Sequence, residues 1–108
     1  MASVFAVLEE ISKRPGMYVG GDETQRVLQL RNLEQLLCGY SLALRQHGIE
    51  EPVTDFIRQF GEYLLEKKRW SASCGPVVTI VEQAKSDGET WELFWTLVDE
   101  FRATIEAR

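Results

Sequence analysis

Arg14-Pro15-Gly16-Met17-Tyr18-Val19-Gly20-Gly21-Asp22 opens the stretch that decides the fold, and that stretch runs on to His47. Behind it Leu30, Leu33, Leu37, Tyr40 and Leu44 recur at steps of three and four, with Val27 and Leu36 widening the stripe. This period marks an amphipathic helix whose apolar side must be covered. The residues ahead of it read as non-helical. Pro15 fixes its own φ and pushes Arg14 out of the α region, and three glycines follow within six positions. A rigid elbow feeding a long helix is the expectation, with Arg14 and the Tyr18 hydroxyl tying down loop carbonyls. Each large side chain buried on the stripe is worth roughly 1.5–3 kcal/mol, enough to make this helix the spine of the core.

Upstream, Ser3 is a plausible N-cap for a first helix carrying Val4, Phe5, Val7, Leu8 and Ile11, which should stop near Lys13 because Pro15 follows. Asp22-Glu23-Thr24 can cap the long helix, and Gly48 supplies its stop. Ile49-Glu50-Glu51-Pro52 is a short acidic connector. A third helix is expected from Pro52 or Thr54 to Lys67-Lys68-Arg69, with Phe56, Ile57, Phe60, Tyr63 and Leu64 on one side. Trp70 to Pro76 is loop by composition. Val77-Val78-Thr79-Ile80-Val81 has the β-branched content of a strand. Pro76 at its start and Glu82-Gln83-Ala84-Lys85 behind it favour a fourth helix.

Ser86-Asp87-Gly88 then breaks the chain before a last helix with Trp91, Phe94, Trp95, Val98 and Ile105, and Leu93, Leu97 and Phe101 beside them. The expected architecture is one all-α domain over residues 1–108, of about five helices with mostly antiparallel neighbours. Leu33, Leu37, Phe94 and Trp95 should be buried together.

A chain of 108 residues with 44% hydrophobic and 27% charged side chains can bury a core without disulfide or metal staples. No apolar run approaches the ~20 residues needed to span a bilayer. Glu9 and Glu10 stand where a signal peptide would carry cations, so a cytoplasmic location is expected. Net charge is −5, which weighs against nucleic acid as the direct partner and is compatible with a basic protein.

Side chains with chemical potential are few. Cys38, Cys74 and His47 make neither a disulfide framework nor a zinc set, and no cofactor or metal is expected. His47 ends a helix and reads as a surface residue. Cys38 reads as core, and Cys74 as a loop thiol at a helix start, where the dipole can lower its pKa. Trp91, Trp95 and Phe94 share a helical face as core residues do, whereas Trp70 in its loop is the better candidate for partial exposure. The carboxylates come as adjacent pairs, which point apart on a helix and so are not acid/base dyads. An enzyme is not expected. Glu50, Glu51 and Asp55 put three carboxylates into six residues on a connector, the densest acidic spot that helix periodicity does not explain. They are the leading partner-binding residues, followed by Asp22, Glu23 and Trp70.

Two families share pieces of this pattern. Leu8 to Gly20, LEEISKRPGMYVG, resembles the N-terminal segment of gyrase-B and topoisomerase type ATPases, where such a turn precedes the helix with the magnesium-binding Asn. Here Asn32 is the only counterpart, and no DxGxG or GxxGxG segment follows to bring backbone amides to phosphates. RPGMYVG, then a helix ending LEQLLCGY, then SCGPVVTIVEQAKSDGETWELFWTLVDEF, is similar to a family of small bacterial proteins with that order of blocks. That family includes immunity proteins of polymorphic toxin and contact-dependent growth inhibition systems. Cys74-Gly75-Pro76 departs from it, where Gly followed by Trp is expected. The resemblance implies an immunity protein that binds and neutralises a cognate toxin domain, a basic nuclease being the partner an acidic inhibitor suits. It implies scaffold roles for Arg14, Pro15, Gly16, Tyr18, Gly39, Tyr40, Asp99 and Phe101. The alternative is a small helical binding or regulatory module with another protein partner.

Overall fold

Among the described residues six helices follow one another: α1 (Val4–Lys13), α2 (Pro15–Val19), α3 (Arg26–Gln46), α4 (Phe56–Lys68), α5 (Pro76–Gln83) and α6 (Asp87–Glu106). The computed structural model describes residues 3–108; Met1 and Ala2, which count into the expected domain, lie outside the described residues. No strand occurs among the described residues, so the β-branched run at 77–81 is helical as expected. None of these helices is long and apolar enough to cross a membrane.

The sixth helix is α2, inside the elbow expected to be non-helical. Pro15 occupies its first turn, where a missing N–H costs nothing and φ is already helical. Met17 N–H bonds the Arg14 carbonyl at 3.1 Å, and Gly20 at φ +70 ends the turn. Proline and glycine therefore bracket one helical turn where they had suggested none. The Asp22 side chain does not cap α3. It accepts from Thr24 N–H at 2.8 Å and from the Thr24 hydroxyl at 2.5 Å, and Gln25 precedes the helix without a side-chain cap bond. Ser86-Asp87-Gly88, expected to break the chain, starts α6: Ser86 is its N-cap and accepts from Glu89 N–H at 3.1 Å.

α3 is the spine, packing against α2, α4, α5 and α6. Its Leu30, Leu33, Leu37 and Leu44 are buried, while Leu36 and Tyr40 sit half-buried against the core. A single apolar cluster takes residues from all six helices. At its centre all five phenylalanines meet. Phe60 lies 5.2 Å from Phe56, 5.6 Å from Phe101 and 5.9 Å from Phe94, and Phe5 lies 6.0 Å from Phe101. Such pairs add about 0.5–1.5 kcal/mol each beyond area burial. Leu33, Leu37 and Phe94 are buried together as expected. Trp95 is only half-buried, because Phe94, Leu97, Val98, Phe101 and Ile105 take the core-facing stripe of α6 and leave Trp91 and Trp95 on its flank.

Candidate functional site

The acidic connector begins with the way α3 ends. Gly48 stands at φ +61, its N–H reaches the Arg45 carbonyl at 3.3 Å, and Ile49 N–H reaches the Leu44 carbonyl at 3.0 Å. This is a Schellman closure, and it returns Ile49 towards the turn that carries Leu44. Tyr40, one turn before Leu44, donates its hydroxyl to Glu51; one carboxylate oxygen takes the close contact and the other lies at 3.0 Å. Burial, and then the bond and charge of Glu51, push the Tyr40 phenol up to about 12. Val53, 1% exposed, pins the connector to the core.

Tyr40, Leu44, His47 and Ile49 form a hollow of roughly 450 Å³ with Glu50 and Glu51 at its edge. Glu50 is exposed and Glu51 half-exposed. Asp55 is occupied differently. It is the N-cap of α4, accepts from Arg58 N–H at 3.5 Å, and pairs with Arg58 Nε at 3.4 Å. Gln59 Oε1 accepts from Asp55 N–H in return, at 3.0 Å.

The other expected partner-binding residues stand elsewhere. Asp22 and Glu23 precede the N-terminus of α3, whose 21 residues separate them from the Glu50 end by about 30 Å. The Thr24 hydrogen bonds, first from the hydroxyl and then from the backbone, hold the Asp22 carboxyl below the ordinary range. Trp70 follows the far end of α4, 15 residues beyond Asp55, and is half-buried against the core. So Glu50 and Glu51 share one site with the hollow, Asp55 is committed to capping α4, and Asp22, Glu23 and Trp70 belong to other surfaces.

Cys38 is exposed, not in the core. It falls on the outer side of α3, away from the Leu33 and Leu37 stripe. Partial burial, then the charges of Glu34 and Asp55, push its thiol up, away from reactivity. Cys74 is exposed before α5, and His47 is exposed at the end of α3. No group of three or more His, Cys, Asp or Glu side chains among the described residues is arranged to hold a metal ion.

The elbow is held by two residues to which the sequence assigned no such role. Gln29, 1% exposed, donates to the Gly20 carbonyl at 2.8 Å, and Asn32 donates to the Val19 carbonyl at 2.9 Å. Arg14 and Tyr18 do not tie down loop carbonyls. Both reach the Glu10 carboxylate, at 3.8 and 3.3 Å, on the surface. Asn32 thus has its amide engaged by the elbow.

Glu34 is a third such residue. Its half-buried carboxylate accepts from Val77 N–H at 3.1 Å, across 43 residues, and so caps α5. The hollow had a readable signal in Leu44 and Ile49 around Gly48, the apolar pair that accompanies a Schellman end. The Glu34 cap had none. No protein-family model matches the chain, and neither curated proteins nor solved structures give a match.

Proposed function

We propose that this chain is an immunity-type protein that binds a cognate bacterial toxin domain, a basic nuclease, and neutralises it by association alone. The observation that carries the reading is the pair of exposed Glu50 and half-exposed Glu51 beside the hollow of Tyr40, Leu44 and Ile49. Protein interfaces combine an apolar centre with a polar rim, and an acidic rim complements a surface built to hold phosphates. The net charge of −5 adds attraction at longer range, and the RPGMYVG resemblance supplies the biological class.

Co-expression with the product of the neighbouring open reading frame tests it. Growth rescue and a co-purifying complex support neutralisation; a toxic neighbour that is neither bound nor silenced overturns it. With the complex in hand, Glu50→Ser with Glu51→Ser should slow association about tenfold at low salt and flatten its salt dependence. Asp55 is left in place, because its carboxylate caps α4.

A further inference from the structure

The hollow at the end of α3 has a shape and a chemistry that select one kind of occupant. Its walls are the Tyr40 ring, Leu44, His47 and Ile49, and Ile49 is left 52% exposed. A large aliphatic side chain so uncovered, inside a concavity, is apolar surface still available for burial. The edge carries two carboxylates, Glu50 and Glu51. Neither is paired with a Lys or Arg among the described residues, whereas the neighbouring Asp55 is held by Arg58. Glu51 is also fixed in place, since Tyr40 donates to its carboxylate. That leaves acceptor capacity on both oxygens for an incoming donor.

A long apolar stem ending in a cation complements both halves. Roughly 450 Å³ lies within the ~300–1,000 Å³ of ordinary ligand pockets, room enough for one such side chain. Guanidinium suits the site better than ammonium. It is planar, more weakly hydrated, stacks on aromatic rings, and presents a fork of donors to carboxylates. We propose that the hollow is the socket for an arginine of the basic protein partner, its stem on Tyr40, Leu44 and Ile49 and its head on Glu50 and Glu51. This deepens, and rests on, the reading of the chain as a binder of a basic protein.

The test needs no toxin, so its failure is distinct from failure of that reading. The full chain is titrated with n-butylguanidinium, and backbone amide shifts are followed by NMR, with n-butylammonium, guanidinium and n-butanol as the partial probes. Saturable shifts confined to residues 40–51, with n-butylguanidinium binding about threefold to fivefold more tightly than each partial probe, support the socket. Glu50→Gln, at a side chain with no hydrogen bond or ion pair among the described residues, should remove part of the advantage of n-butylguanidinium over n-butanol, since Glu51 keeps its charge; Ile49→Ser should bring it towards guanidinium. Shifts spread over Glu9-Glu10 and Asp99-Glu100 as strongly as over Glu50-Glu51 overturn it. So does n-butylammonium matching n-butylguanidinium, or an unchanged affinity in both variants. If the socket stands and co-expression shows no neutralisation, the fault lies with the toxin reading.

Discussion

Replacing Gly75 with alanine tests how a distant side chain starts a helix. Gly75 sits at φ +100 and ψ 154, a region that only glycine occupies freely, and alanine there costs about 1–3 kcal/mol in backbone strain. The new Cβ would also lie 2.9 Å from one Glu34 carboxylate oxygen and 3.1 Å from the other. Glu34 ends in a rotatable carboxylate, so it swings away and the backbone stays. Swinging away breaks the bond from Val77 N–H and uncaps α5, a loss of about 0.5–2 kcal/mol. Gly75→Ala should therefore cost about 2–4 kcal/mol, read by urea unfolding at constant m-value. With Glu34→Ala already in place the clash and the cap are both gone, and only the strain remains. The two costs should then couple by about 0.5–2 kcal/mol. Strictly additive costs would refute the link between Gly75 and Glu34.

The same cap has a pH signature. Burial raises the Glu34 carboxyl above its ordinary 4.5, against the opposing pull of Val77 N–H and Arg31. A carboxyl raised on folding stabilises fully below the unfolded value, and that contribution is lost as pH climbs through the raised folded value. Glu34→Gln keeps an acceptor for Val77 and removes the buried charge. It should match or exceed the wild type at pH 7 and lack the loss above pH 4.5; a deficit beyond ~1 kcal/mol at pH 7 contradicts this.

Three further outcomes are expected. Leu37→Ala should cost roughly 2–5 kcal/mol in urea unfolding, since Leu37 is fully buried on α3; a loss under ~1 kcal/mol would mean that α3 is not the spine. Tyr40 has a folded pKa of about 12 against an ordinary 10.0, so its contribution is whole below pH 10 and disappears as pH rises through the folded value. The wild type should lose about 1–2 kcal/mol across that window after allowance for partial exposure, and Tyr40→Phe should not; equal slopes would refute it. Gln29→Ala should lower the melting temperature through a loss of about 1–3 kcal/mol, whereas Arg14→Ala with Tyr18→Phe should cost under ~1 kcal/mol; the reverse order would place the elbow's anchor on Glu10.

Periodicity alone carried the helices, because burying a stripe at steps of three and four needs no knowledge of what covers it. That is why Leu30, Leu33, Leu37 and Leu44 were readable as the α3 core face, and Phe56, Phe60 and Leu64 as that of α4. Punctuation by Pro15 and by Ser86-Asp87-Gly88 was legible as position but not as kind, since the residues that break a helix in its interior also begin one at its N-terminus. The acidic connector was visible as composition, and its local partners were not. Asp55 looked as free as Glu50 until α4 was seen to begin on it, and Glu51 until Tyr40 was brought over it. Contacts across many residues left no local trace: Gln29 on the Gly20 carbonyl, Asn32 on the Val19 carbonyl and Glu34 on Val77 are ordinary polar residues of a helix until the chain returns to them. The sequence by itself determined which faces had to be buried, because hydrophobic burial depends on the side chain alone. Only the tertiary structure decided which polar groups were left free to meet a partner, because a hydrogen bond depends on what stands within about 3 Å of it.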